Sequence, residues 1–133
     1  MRIDVSAFRF DAASLALNKN QDFIAEIPPG LTSDQMLFDS YREHLQLPDY
    51  FGKNWDALDE CLRDLYWIEQ RRVVILHKDL PPLDRKTLLM YLDVLSFCVL
   101  DWEPGEAHEL VVVFPKASRD VICDLANSHE KGE

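Results

Sequence analysis

A chain of 133 residues with 47% hydrophobic content and only four glycines fits one compact domain, which excludes a disordered or fibrous protein and leaves no room for two ordinary domains. Its 24 carboxylates against 14 lysines and arginines leave a net charge of −10. Bare nucleic acid and anionic membranes are therefore repelled, and the complementary partner is a basic protein.

From the N-terminus, Val5 to Phe10 alternate loosely and suggest a short edge strand. Asp11 to Gln21 reads as a turn or weak helix, punctuated by Asn18-Lys19-Asn20. Phe23 to Ile27 is a better strand, stopped by Pro28-Pro29-Gly30. Thr32 and Gln35 have the spacing of a capping box, opening a helix with Leu37, Phe38, Tyr41 and Leu45 on its inner face and an end near Leu47. A second helix starts at the N-cap Asn54 and runs to about Leu65 or Trp67. The β-branched run Arg72 to His77 reads as a strand covered on both faces. His77, at its end and with no nucleophile beside it, is structural rather than catalytic. After Pro81-Pro82, Asp84 caps a long helix through about Leu100, whose apolar residues spread over more than one stripe, as in a helix buried on two sides. Leu110 to Phe114 is a second strongly apolar strand. Ser118 to about Asn127 forms a last helix with Val121, Ile122 and Leu125 inward, and the residues from Ser128 form a frayed polar tail. This alternation predicts an α/β fold with a small, about three-stranded parallel sheet packed by helices, plus an extra N-terminal strand and a C-terminal helix.

The cysteines, Cys61, Cys98 and Cys123, are odd in number and lie in apolar settings without CxxC or mixed His/Cys spacing. They read as reduced thiols of an intracellular protein, with no metal and no cofactor expected. The start Met1-Arg2-Ile3-Asp4 lacks the apolar segment of a secretion signal, and the apolar region Leu88 to Leu100 is broken by Asp93 and too short to span a bilayer. A soluble, cytoplasmic, monomeric protein with no membrane partner is expected.

The chain is organised around Leu47 to Leu62. Pro48 and Gly52 bracket the adjacent aromatics Tyr50 and Phe51 on a loop, and Asn54 can accept from an orphan amide of the following helix. Trp55, Leu58, Leu62 and Leu65 recur at helical spacing and make an apolar back. Asp56, Asp59, Glu60, Arg63 and Asp64 fall on the remaining arc. Asp56 and Glu60 lie one turn apart, and Arg63 is placed to tether Asp59 at i+4. Surface helices are charged by default, so a merely solvated face is the simplest account. Two aromatics on the adjoining loop favour a surface that meets a cationic partner.

The run Leu47-Pro48-x-Tyr50-Phe51-Gly52-x-Asn54-x-Asp56-Ala57-Leu58-x-x-Cys61-Leu62 resembles the signature of the barstar family, intracellular inhibitors of secreted guanyl-specific ribonucleases such as barnase. The order of elements agrees over about residues 23–114, within one domain spanning 1–133. The resemblance implies that loop and helix plug the active site of a basic secreted-type ribonuclease or related nuclease toxin. An acidic side chain would stand in for the RNA phosphate, and a loop aromatic would pack on the enzyme's catalytic histidine. Carried over by position, Tyr50 matches the packing aromatic, Asp56 an acidic contact and Glu60 the key aspartate. The partner-binding set is then Tyr50, Phe51, Gly52, Asn54, Asp56, Asp59 and Glu60, joined by Asp93 or Asp101 of the long helix. The family's type member has tyrosine at Phe51, tryptophan at Asp59 and aspartate at Glu60.

Two other functions compete. An enzyme using Asp56, Asp59 and Glu60 as paired carboxylates would need converging groups from other elements, and none is evident. An acidic module that binds a basic protein or toxin without inhibiting a nuclease uses the same face, and differs only in whether the partner's catalytic groups are covered.

Overall fold

A computed structural model describes residues 3–130, apart from the side chains of His129 and Glu130. The expectations for Met1 and Arg2 and for the end of the polar tail, residues 131–133, lie outside the described residues. The strands are β1 (Phe8–Arg9), β2 (Phe23–Ile27), β3 (Arg72–His77) and β4 (Glu109–Val113). The helices are α1 (Asp34–His44), α2 (Trp55–Asp64), α3 (Arg85–Asp101) and α4 (Arg119–Glu130). All strand pairs are parallel, in the order β1-β4-β3-β2. The α/β fold is the expected one, with the two most apolar strands at the centre and the N-terminal strand added as a fourth.

The two faces of the sheet are covered differently. Ala25, Ile27, Val73, Ile75, Leu110, Val112 and Phe114 join one core with the inner faces of all four helices. Val74, Val111 and Val113 point the other way and meet Ala12, Leu15 and Leu17 instead of a helix. That cover is a 3₁₀ turn at Ala12–Leu15 and the chain after it. It is fastened where Arg72 donates to both carboxylate oxygens of Asp22 at 3.0 and 2.7 Å. The guanidinium holds that carboxyl below the ordinary carboxylate range. Burial of β3 on both faces was expected; its second cover is the N-terminal segment, to which the sequence assigned no role.

Element ends differ in detail. Ser33, extended at φ −140°, caps α1 by accepting from the Met36 amide at 3.2 Å, so the cap lies one residue beyond Thr32. The same helix stops at His44 rather than near Leu47, because Gln46 turns left-handed at φ 57°. On α4, Val121 is exposed, and Ile122 with Ala126 one turn later makes the buried stripe. That helix continues through Ser128, which was expected in a frayed tail.

The core contains one polar thread. His77 Nδ1 lies 2.8 Å from the Val113 carbonyl, its Nε2 2.6 Å from the Tyr91 hydroxyl, and that hydroxyl 2.6 Å from the hydroxyl of Tyr41. A carbonyl can only accept, so Nδ1–H donates to it, Nε2 accepts from Tyr91, and Tyr91 accepts from Tyr41. Burial pushes both phenols upward and His77 down to about 4.

This neutral imidazole makes stability depend on pH. Below about 6.5 the unfolded chain binds a proton at His77 that the folded chain takes up only near 4. The unfolded state therefore binds more protons between those values, and stability falls as pH drops through that window, by up to about 3 kcal/mol. Urea unfolding at a series of pH values checks this. His77→Gln should be less stable at pH 7 and lack that component of the acid loss.

Candidate functional site

The loop before α2 is held from below. The Phe51 amide donates to the Pro48 carbonyl at 2.9 Å, and Lys53, left-handed at φ 51°, pairs with Asp39 of α1 at 2.7 Å. Asn54 uses both ends of its amide: Oδ1 accepts from the Ala57 amide at 2.8 Å, and Nδ2 donates to the Gly52 carbonyl at 3.3 Å. A Cβ at Gly52 would lie 3.2 Å from that Nδ2 and crowd the cap. Leu65 closes the helix in the left-handed conformation, its amide bonded to the Cys61 carbonyl.

Helix α2 shows its apolar back to the core. Leu58, Cys61 and Leu62 are buried, and Trp55 packs between Phe38 of α1 and Tyr91 of α3, with ring centroids 4.8 and 6.2 Å apart. The opposite arc carries two kinds of carboxylate. Asp56, Glu60 and Asp64 repeat every four residues along one exposed stripe, and make no ion pair or hydrogen bond with a described residue. Asp59 is engaged: its Oδ2 accepts from Arg63 Nη2 at 2.8 Å and Nε at 3.2 Å, and its Oδ1 lies 3.3 Å from the Cys98 thiol of α3. Burial and the hydrogen bond to that carboxylate push the thiol upward, so it stays protonated and donates.

The two loop aromatics part company. Tyr50 is 66% exposed, whereas Phe51 is 6% exposed, its ring centroid 6.1 Å from that of Phe38. A hydrogen bond with Tyr66, itself 62% exposed, pushes the Tyr50 hydroxyl up to about 12. Tyr66 was missed by the sequence reading, since a residue just past a helix end shows no periodicity. On α3, Asp101 is exposed and its field acts on Arg63 and Cys98, placing it beside α2. Asp93 is half-buried and has an interaction of its own within the chain.

The expected site residues therefore separate. Tyr50, Asp56 and Glu60 share an exposed face. Phe51, Gly52 and Asn54 build the loop and cap that present it, and Asp59 is spent on an internal pair. Of the seven, Phe51 alone is buried, Asp59 is half-buried, and Gly52 and Asn54 are exposed beside the other three. Cavities of about 660 Å³ beside β2 and about 720 Å³ between β1 and α4 include no residue of α2. Among the described residues no group of His, Cys, Asp and Glu is arranged to hold a metal, and no helix is long and apolar enough to cross a membrane.

A family model described as Barstar (barnase inhibitor) matches residues 28–115, about two thirds of the chain. The chain belongs to the Barstar family. Comparisons with curated proteins and with solved structures gave no match. Members of the Barstar family are ribonuclease inhibitors rather than enzymes, and the matched span runs from the end of β2 to Pro115, including the loop, α2 and α3.

The division of α2 into a buried back and a free front sets opposite mutational outcomes. Glu60→Ala and Asp56→Ala remove side chains without internal partners and should change stability by no more than about 0.5 kcal/mol. Trp55→Ala removes the ring wedged between Phe38 and Tyr91 and should cost about 3 kcal/mol. Thermal unfolding of the three variants checks the assignment of faces.

Proposed function

We propose that the protein is an intracellular, stoichiometric inhibitor that covers the active site of a basic ribonuclease and performs no catalysis itself. The observation that carries this proposal is the row Asp56, Glu60 and Asp64, unpaired on a helix fixed at both ends, beside the exposed Tyr50. Successive carboxylates lie about 6 Å apart along the helix. Their charges are not neutralised from within, so the stripe can meet arginine and lysine side chains that otherwise hold RNA phosphates, and arginine takes a carboxylate in bidentate fashion. Tyr50 projects from the loop at one end of the stripe, where its ring can stack on a group of the cleft. Of the two acidic residues of α3, Asp101 is the one proposed to join, since it is exposed and lies beside α2. Phe51, Gly52, Asn54 and Asp59 serve by shaping this face. The free thiols Cys61, Cys98 and Cys123 accord with a reducing compartment.

Titration of a barnase-like ribonuclease while following RNA cleavage tests this. Inhibition should be complete at one equivalent, and Glu60→Ala should weaken it at least tenfold, or about 1.4 kcal/mol. Association should slow as salt rises, because screening weakens charge steering; barnase with its inhibitor is itself a reference case for that behaviour. Binding without loss of cleavage would instead identify an acidic interaction module.

A further inference from the structure

We propose that the partner-facing surface continues from α2 onto α3 as an apolar ledge formed by Phe97 and Leu100, which seats an aliphatic or aromatic side chain at the rim of the basic ribonuclease's cleft. This rests on the proposed role of the α2 stripe and adds a specificity determinant that the stripe lacks.

Large hydrophobic side chains exposed among the described residues are not scattered. Besides Met36 and Val121, they are Tyr50 and Tyr66, which meet near the last turn of α2, and Phe97 and Leu100 on the neighbouring helix, 56% and 53% exposed. Helix α3 is otherwise a core helix: Val94, Leu95, Ser96 and Cys98 around Phe97 are buried. Phe97, Leu100 and Asp101 stand at i, i+3 and i+4, so they share the one side of α3 that opens to solvent beside α2. The thiol of Cys98 at 3.3 Å from Asp59, and the Trp102 indole donating to the Leu62 carbonyl at 2.9 Å, hold the helices together on either side of this spot.

The ledge is also built rather than incidental. Arg63 lies with its guanidinium carbon 5.8 Å from the centroid of the Phe97 ring, while its nitrogens grip Asp59. One cation thus pairs with Asp59 and supports the ring, and the apolar pair Phe97 and Leu100 stands between that ion pair and the exposed Asp101. An apolar patch rimmed by charge is the anatomy of a protein interface core. The acidic border selects the occupant. A second copy of this chain, with its net charge of −10, and an anionic membrane both bring like charge to the rim, whereas a basic ribonuclease brings the opposite sign. Contacts of this kind act after encounter, so they lengthen residence rather than hasten arrival.

The test is kinetic: association and dissociation of a barnase-like ribonuclease with the full chain, Phe97→Ser, Leu100→Ser and Glu60→Ala, with thermal unfolding and sedimentation of each. The expected result is dissociation at least tenfold faster for Phe97→Ser, and faster for Leu100→Ser, with association rates and their salt dependence unchanged. Inhibition by the wild type that Glu60→Ala abolishes and both ledge variants retain at wild-type rates overturns the ledge alone and leaves the α2 stripe standing. Failure of the wild type to inhibit overturns the stripe and the ledge with it. A wild-type dimer that Phe97→Ser dissolves assigns the ledge to a second copy and overturns the proposal. Unchanged unfolding of at least one ledge variant separates all these outcomes from misfolding.

Discussion

The structure depends on a chain of aromatic contacts that runs from the loop to the far edge of the sheet. Phe51 meets Phe38, Phe38 meets Trp55, and Trp55 meets Tyr91. Tyr91 bonds His77, His77 stacks on Phe114 at 4.0 Å, and Phe114 packs edge-on against Phe8 of β1. Each aromatic pair contributes about 0.5–1.5 kcal/mol beyond its buried area, but its larger consequence is geometric. Rings have few rotamers, so the position of α2 is fixed through α1 and α3 against the central strand β3. The loop before α2 is thereby tied to the central sheet. The neutral state of His77 belongs to the same constraint, since burial among these rings disfavours a charged imidazole.

Charge on α2 is divided by the same logic. A ten-residue helix with four carboxylates is self-repelling, and its single arginine relieves only one of them. Arg63 reaches Asp59 at i+4, and Asp59 is also the carboxylate that the α3 thiol touches. The pair consumes the charge that the α2–α3 contact would otherwise bury unpaired. The stripe one position along the wheel is left unrelieved because nothing within the chain needs it. Repulsion of this kind is a standing cost to the free protein, lessened when a cationic surface arrives. The three free carboxylates therefore make no ion pair or hydrogen bond with a described residue, which is why the proposed complex is where their role is sought.

Much of this was legible in the sequence, and the parts that were not have specific causes. The run Arg72 to His77 and the caps Asn54 and Asp84 were read at their true positions, because continuous β-branched residues and capping side chains are strong local signals. Ser33 was displaced to Thr32 because adjacent hydroxyl residues offer the same chemistry, and only backbone angles choose between them. Trp55 was placed correctly on the back of α2 by period alone. Phe51 was not, since a loop residue has no period to betray which way its ring turns. The engagement of Asp59 was half legible: the link to Arg63 follows from spacing, the link to Cys98 requires knowing that α3 lies alongside. The same applies to the ledge, because Phe97 and Leu100 fit a buried helix and only the packing of α3 against α2 leaves them outside.

Rigidity is what distinguishes this carboxylate face from an acidic tail. A flexible acidic segment would be steered to a basic cleft just as well, but it would lose conformational entropy in reaching a single bound geometry. Here that ordering is completed on folding. Asn54 closes one end of α2, the left-handed Leu65 closes the other, and the Trp102 indole holds the last-turn carbonyl of Leu62. Carboxylates spaced by a helical backbone cannot collapse together or drift apart, so charge that arrives at a partner does so already arranged. The stability of the scaffold and the display of its face are in this sense one property, carried from β3 outward through Tyr91 and Trp55.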